Sequence, residues 1–528
     1  MALLQTGRTC WRAETAGRAA FLIDYQAYYA ALLDALRKAR RQIILLGWSF
    51  DPRTRLAPDG TIHARAPDAI GSLLIDLAAR RPELEVHVLV WRSALAISAT
   101  QGGFPHRAKG WFKRSRVRFR LDDSVPFGAC HHQKVVVVDD SVAFCGSGDL
   151  SPDRWDSVAH ADGDTRRRGP GKPLHPPRHE VMMVVEGAPA AALGDLARER
   201  WRNACGEPIS PPPSAREAWP DDLAADLTGC RVGVSRTLPA WRGAAAVEEE
   251  IELSLAAIAA ARRTIYLENQ YFASPVVAEA LAARLAEPEG PQVVLITTGH
   301  SASYFDRLTM DRTRQVLLWR LRSADIFGRF RAFFPLTAGG APIIVHAKVM
   351  VIDDVLARVG SANINNRSGG FDTECDLSIE ARDASQRQAI EAFGDALAGH
   401  WLGRSAAAFR DERERRGGLI GALEALNLSS GRLAPLEPKR LGPIGEFIAA
   451  FYLGDPSGAD DSWAPKRRRQ RLYDRIRAVK GPSGELEIHH QGQVIGGGPR
   501  EAVVGRAHGQ DLDAFADEQV VDAEDRHR

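Results

Sequence analysis

At 528 residues the chain has room for two or three domains with sizeable cores, and its 45% hydrophobic and 26% charged residues match an ordinary globular protein. A formal net charge of +2, from 69 basic and 67 acidic side chains, lacks the basic surplus of a dedicated nucleic-acid binder. No stretch reaches the about 18 apolar residues that a membrane span needs.

Residues 1–20 carry Arg8, Arg12, Glu14 and Arg18 and no apolar segment, which argues against a secretory signal. The six cysteines (Cys10, Cys130, Cys145, Cys205, Cys230 and Cys375) form no C-x-x-C pair, so reduced thiols are expected rather than disulfides or a zinc site. The expected location is the cytoplasm, with contact to a membrane only peripherally, at its inner face.

A helix-like stretch from Ala31 closes on Ala39-Arg40-Arg41-Gln42-Ile43 and opens an apolar strand, and a second strand follows at Val86–Trp91. Next come His132-Gln133-Lys134, four valines and Asp139, then Gly146-Ser147 and Asp149. His131 is expected to face the other side of its strand and pack. The insert between Asp162 and Pro176, with Arg166-Arg167-Arg168, reads as a solvated loop, as do His175 and His179 beside a Pro-rich turn. Gly171-Lys172 lacks the glycine spacing of a P-loop. Gly206 to Ser214, rich in proline, reads as a stiff linker.

The pattern then begins again. A helix over Glu249–Arg262 closes on Ala261-Arg262-Arg263-Thr264-Ile265, and a strand follows at Val293–Thr297. His346-Ala347-Lys348, four apolar residues and Asp353 repeat the first motif at an offset of 214 (346 − 132), and the same offset carries Gly146-Ser147 onto Gly360-Ser361 and Asp149 onto Asn363. Alternating helices and short apolar runs predict an α/β fold with a mainly parallel sheet covered on both faces. Two such α-β-α domains, related by a pseudo-twofold with the active site at their interface, are expected over residues 1–205 and 221–428, joined by a Pro-rich linker over 206–220. Residues 429–528 form a C-terminal extension, proline-broken, with a basic run at Lys466–Arg469 and an acidic end whose last forty or so residues are expected to be disordered. Within it, Gly445–Gly454 is too short to span a bilayer, which leaves it to cap the core or to dip into a headgroup layer.

Residues two apart on a strand share a face, so each motif presents an imidazole and an ammonium together. Two such pairs meeting at one cavity suit phosphodiester cleavage. Fixed ammoniums hold the non-bridging oxygens, one neutral histidine attacks phosphorus, and the other protonates the leaving alkoxide. This chemistry calls for no metal and no cofactor. A lone H-x-K-x-x-x-x-D is a loose pattern; two copies at one offset, each followed by Gly-Ser at the same distance, are specific.

At these residues the chain resembles the phospholipase D superfamily, whose signature is H-x-K-x-x-x-x-D followed by G-S-x-N. The likeness covers roughly residues 8–405 and extends to Arg154-Trp155-Asp156, Ile265–Phe272, Gly360–Ser368 and Asp372-Thr373-Glu374. Bacterial phospholipase D and cardiolipin-synthase-like proteins are its nearest types. The resemblance implies His132 as nucleophile, His346 as general acid and base, and Lys134, Lys348 and Asn363 as phosphate ligands supported by Ser147 and Ser361. It implies that Asp139 and Asp353 brace the motif turns, and that Glu374, with Glu180 as its first-half counterpart, hydrogen-bonds a catalytic histidine. Asp149 stands where the signature has asparagine, and its charge argues against a phosphate contact. The implied enzyme acts on phospholipid diesters, by hydrolysis or by transfer of the phosphatidyl group to an alcohol, with a nuclease or other soluble phosphodiesterase as the alternative.

Overall fold

The computed structural model describes residues 2–58, 67–93, 105–169, 173–213 and 217–480, with two further short strands at His489–His490 and Gln493–Val494. The acidic end of the chain, the expected disorder there, Gly171-Lys172 and Ser214 fall outside the described residues. Residues 206–213 carry no helix or strand.

The first repeat begins with β1 (Arg12–Ile23) and α1 (Asp24–Lys38), followed by β2 (Gln42–Gly47), β3 (Glu85–Trp91) and β4 (Arg118–Asp122). It continues with β5 (Val135–Val138), β6 (Val142–Gly146), β7 (Arg178–His179), β8 (Val181–Gly187) and α2 (Ala188–Cys205). The second repeat supplies β9 (Arg231–Leu238), α3 (Glu249–Ala260), β10 (Thr264–Asn269), β11 (Gln292–Thr297) and β12 (Phe330–Pro335). After these come β13 (Ile344–Val345), β14 (Lys348–Ile352), β15 (Leu356–Gly360), β16 (Glu374–Glu380) and α4 (Ala384–Trp401).

The pairings give the same strand order twice: β4-β3-β2-β5-β6-β8-β1, and β12-β11-β10-β14-β15-β16-β9. In each, only the first three strands are parallel. The expectation of a mainly parallel sheet is therefore corrected to a mixed one. The motif strand and the strand after it are joined by a tight turn, with Ser141 N–H donating to Val138 O at 3.0 Å and both Asp139 and Asp140 at positive φ (54° and 52°). So short a connection can only return antiparallel, because a parallel return needs a crossover of a dozen or more residues.

The first strand serves both sheets. Arg12–Thr15 pair with β9, whereas Ala16–Ile23 pair with β8. A buried cluster mixes the two repeats, joining Leu193 and Trp201 of α2 to Leu377 of β16 and Ile390 and Trp401 of α4. Two flanking clusters lie on the outer faces, one built from α1 and its sheet, the other from α3 and its sheet. The C-terminal extension joins the second of these: Leu433–Pro435 pair with β12, and Leu436 and Leu472 are buried there. Arg468 of the basic run is also buried, donating to the carbonyls of Tyr452 and Asp461 at 2.6 and 3.0 Å. No described helix is long and apolar enough to cross a membrane.

The two Ala-Arg-Arg segments meet the two motif aspartates. Asp139 accepts from the backbone N–H of Arg40, Arg41 and Gln42, each at 2.7 Å. Asp353 does the same for Arg262, Arg263 and Thr264 at 2.8, 2.8 and 2.7 Å. What each aspartate holds is thus the bend from the first helix of its repeat into the neighbouring strand. Asp139→Ala leaves three amides unpaired, one of them buried, and is expected to cost about 2–4 kcal/mol. Asp353→Ala should cost less than half of that, because two of its three bonds are solvent-exposed. Urea midpoints of the two variants check this; equal losses would contradict it.

Candidate active site

The strand tips of the two repeats pair across the molecule. Ile344 and Val345 lie parallel to Arg178 and His179, and His131 bridges to Thr373. Through these contacts His132 N–H donates to Thr373 O at 3.0 Å, and His346 N–H donates to His179 O at 2.9 Å. Both motifs are thereby drawn to one place.

Each histidine is then gripped by a carboxylate of the other repeat. His132 Nδ1 lies 2.8 and 3.0 Å from the two oxygens of Glu374, and His346 Nδ1 lies 2.9 Å from Glu180 Oε2. With Nδ1 committed, Nε2 is the nitrogen each ring has available for chemistry. Burial, followed by the nearby lysines, holds both imidazoles well below their ordinary range and so favours their neutral forms. Burial moves the carboxylates the other way. Glu374 is pushed up to about 8, and Glu180 is also raised, against the pull of Arg178 and Arg154.

Lys134 and Lys348 are buried beside these rings, and each ammonium donates to the carbonyl of its own motif histidine, at 2.8 and 2.6 Å. Their other partners differ. Lys134 Nζ lies 3.4 Å from Asp149 Oδ2, whereas Lys348 Nζ donates to the neutral Gln270 Oε1 at 3.0 Å. Burial pulls Lys348 well below its usual value, with Lys134 adding to the effect and Glu180 opposing it. Lys348 is therefore the cation with the greater need of an anion. Asp149 also accepts from the backbone of Trp48 and Ser49 at 2.9 and 3.0 Å, which occupies it structurally.

Ser147 and Ser361 need correcting as substrate-binding residues. Both are fully buried. Ser361 Oγ donates to Glu374 Oε2 at 2.5 Å and accepts from Cys375 N–H at 3.0 Å, and Ser147 Oγ exchanges bonds with Val181. They hold the histidine-orienting carboxylate and its strand rather than facing a substrate. Asn363 is buried at the end of the second motif with its Oδ1 unpartnered.

Two loop assignments also change. His179 is fully buried between Asp24 and Glu268, not solvated, and Arg167 is buried against Asp156. His131 packs inside the protein, 3.0 Å from Asp122. Trp48 was not singled out: it meets the His132 ring edge-on at 6.4 Å and stacks on Trp91 at 5.7 Å. Nothing local in the sequence marks it, because only the pairing of β2 with β5 brings it to the histidine. Gln270 and Arg154 lay within segments of family likeness, without a role. Among the described residues, one His and carboxylate group could hold a metal ion: Asp24, His160, His179 and His400, behind Glu180.

Paired histidines and paired lysines, each histidine oriented from the opposite repeat, are thus gathered into one site. A family model described as cardiolipin synthase, PLD-like domain, matches residues 255–395, the stretch holding His346, Lys348, Asn363 and Glu374. Phospholipase D alpha 4 of Arabidopsis thaliana is 24% identical over 543 residues, covering 80% of this chain and 67% of the relative. Phospholipase D2 of Bos taurus is 23% identical, covering 69% of this chain, and the chain spans about half (49%) of that relative's length. The solved phosphatidylserine synthase of Haemophilus influenzae Rd KW20 shares the fold, with a TM-score of 0.51, 11% identity, and coverage of 79% of this chain and 96% of that one. Residues 255–395 thus match a PLD-like domain, in a chain whose wider similarity is to phospholipases D.

The raised Glu374 carries a stability signature. Its folded value of about 8 lies above its unfolded value of 4.5, so the unfolded chain releases this proton first and stability is lost as pH rises from 4.5 through 8. Glu374→Gln removes that loss. Its melting temperature relative to the unaltered protein should therefore climb between pH 5 and pH 8.5, and a flat or falling difference would contradict the assignment.

Proposed function

We propose that the protein is a phospholipase D-type enzyme that cleaves glycerophospholipid diesters, or passes the phosphatidyl group to an alcohol, through a phosphohistidine. The observation that carries this is the reciprocal orientation of His132 and His346 by Glu374 and Glu180. In the first step Nε2 of neutral His132 attacks phosphorus and the bond to the headgroup oxygen breaks. His346, protonated, donates its proton to that leaving oxygen. In the second step neutral His346 removes a proton from water or an alcohol, whose oxygen attacks phosphorus and releases His132. Lys134, Lys348 and Asn363 hold the non-bridging oxygens.

Burial and the lysines favour neutral imidazoles, so a bound phosphodiester would assist protonation of His346. A bound phosphodiester places a negative charge between the rings and offsets the two ammoniums that hold both values down. Substrate binding and arming of the acid are then coupled.

Vesicles of phosphatidylcholine or phosphatidylglycerol with a primary alcohol, analysed by mass spectrometry for the phosphatidyl-alcohol, test the reading. Turnover should fall by about 10³-fold or more in His132→Ala and in His346→Ala. Single-stranded DNA run in parallel separates the alternatives: cleavage of DNA without lipid turnover would make this a nuclease.

Peripheral docking on a lipid surface has its own support. Phe127, 82% exposed, precedes His132 by five residues and stacks on Trp463, 77% exposed, with ring centroids 5.9 Å apart. Ile444 and Phe447, on the helix Pro443–Ala450, and Tyr304 and Phe305 add further exposed apolar surface. Aromatic side chains at this exposure suit the headgroup layer. Phe127→Ser combined with Trp463→Ser should weaken sedimentation with phosphatidylglycerol vesicles several-fold while leaving turnover of a monomeric short-chain phospholipid unchanged. Undiminished vesicle binding would remove the assignment.

A further inference from the structure

We propose that Asp24, His160 and His400 form a binding site for a divalent transition-metal ion of the zinc type, built across the two repeats and separate from the phosphodiester site. Asp24 opens α1, His160 lies in the loop after the first motif, and His400 comes from α4 of the second repeat. Together with His179, each brings a ligand-capable atom to within 4.8 Å of those of the others.

The hydrogen bonds around them leave a particular set of atoms over. Asp24 Oδ2, His160 Nε2 and His400 Nε2 are all buried without a hydrogen-bond partner. Three unpartnered ligand atoms inside one protein region are costly unless something binds them. Asp24 Oδ2 and His160 Nε2 lie 3.4 Å apart. That matches the roughly 3.3–3.4 Å edge of a tetrahedron whose metal–ligand bonds are about 2.0–2.1 Å.

The second nitrogen of each candidate imidazole is fixed as a metal-bound histidine requires. His160 Nδ1 lies 3.0 Å from Asp156 Oδ2, and His400 Nδ1 donates to Leu397 O at 2.8 Å. His179 is not a ligand, because both its nitrogens are taken: Nδ1 lies 2.9 Å from Asp24 Oδ1 and Nε2 lies 2.7 Å from Glu268 Oε2. Bridging two carboxylates requires a proton on each nitrogen. His179 therefore acts as a cationic brace that holds Asp24 with Oδ2 turned free.

The charges facing the site support a cation. Asp24, Asp156 and Glu268 set three carboxylates against His179 and Arg167, the latter 3.4 Å from Asp156. The carboxylates outnumber these two cations, an excess of buried negative charge that a divalent ion would offset. Asp24 and His160 also hold left-handed backbone (φ 65° and 43°), which non-glycine residues seldom adopt.

The consequence is positional. Asp24 Oδ1 accepts from Glu180 N–H at 3.1 Å, and Asp24 N–H donates to Glu180 O at 2.8 Å. An ion on Oδ2 would tie the strand carrying Glu180, and through it His346, to α4 of the opposite repeat. The expectation that no metal is bound rested on cysteine spacing, which cannot register ligands so far apart in sequence.

The full-length protein, stripped with a chelator and reloaded with Zn²⁺, should carry one ion per chain by elemental analysis. His160→Gln and His400→Gln should each lower that content at least ten-fold, while His300→Ala, at an exposed histidine, keeps it. Zinc should raise the melting temperature of the unaltered chain and not of the two Gln variants. Reloading with Co²⁺ gives a readout on the unaltered chain should either variant fail to fold: tetrahedral d–d absorption with only nitrogen and oxygen ligands by X-ray absorption. Less than a tenth of an ion per unaltered chain, equal content in folded Gln variants, or sulfur ligation would each overturn the proposal.

Discussion

The structure turns on an exchange: each repeat supplies the carboxylate that orients the other repeat's histidine. Glu374 holds His132 and Glu180 holds His346, and the backbone pairings beside them repeat the exchange, with His131 against Thr373 and Val345 against His179. Neither half contains a finished site. Catalytic geometry is therefore coupled to the packing of one repeat on the other, and the long first strand and the shared core that mixes α2 with α4 become functional requirements.

Within that symmetry, the charges are asymmetric. Lys134 has a carboxylate beside it in Asp149, whereas Lys348 has the amide of Gln270. The Asp-for-Asn difference at the 214-residue offset thus has a physical meaning. It occupies one ammonium and leaves the other underneutralised, biasing where an anionic oxygen gains most. Burial shifts the remaining groups toward their neutral forms, the imidazoles by lowering them and the glutamates by raising them.

Much of this was legible along the chain. The repeated histidine, lysine and aspartate at one offset mark the residues that the fold gathers into one site, and the two Ala-Arg-Arg segments are the backbone that Asp139 and Asp353 cap. Sheet polarity was misjudged because hydrophobic runs report burial and not strand direction, which the tight turn at Asp139–Asp140 decides. Ser147 and Ser361, expected beside the phosphate ligands, hold Val181 and Glu374 instead, because proximity in sequence to a motif does not say which way a hydroxyl turns. His179 and Arg167 were read as solvated because a polar, proline-rich stretch gives no sign that it is folded inward.

By itself the sequence determined the duplication, the alternation of elements and the identities of the groups that carry charge and protons, since these follow from residue type and from spacing along a strand. Only the tertiary structure decided which carboxylate meets which histidine, that Trp48 stands beside His132, and that Asp24, His160 and His400 converge. Those relations join residues 84 or more positions apart, and no local periodicity records a contact that exists only once distant segments have packed together.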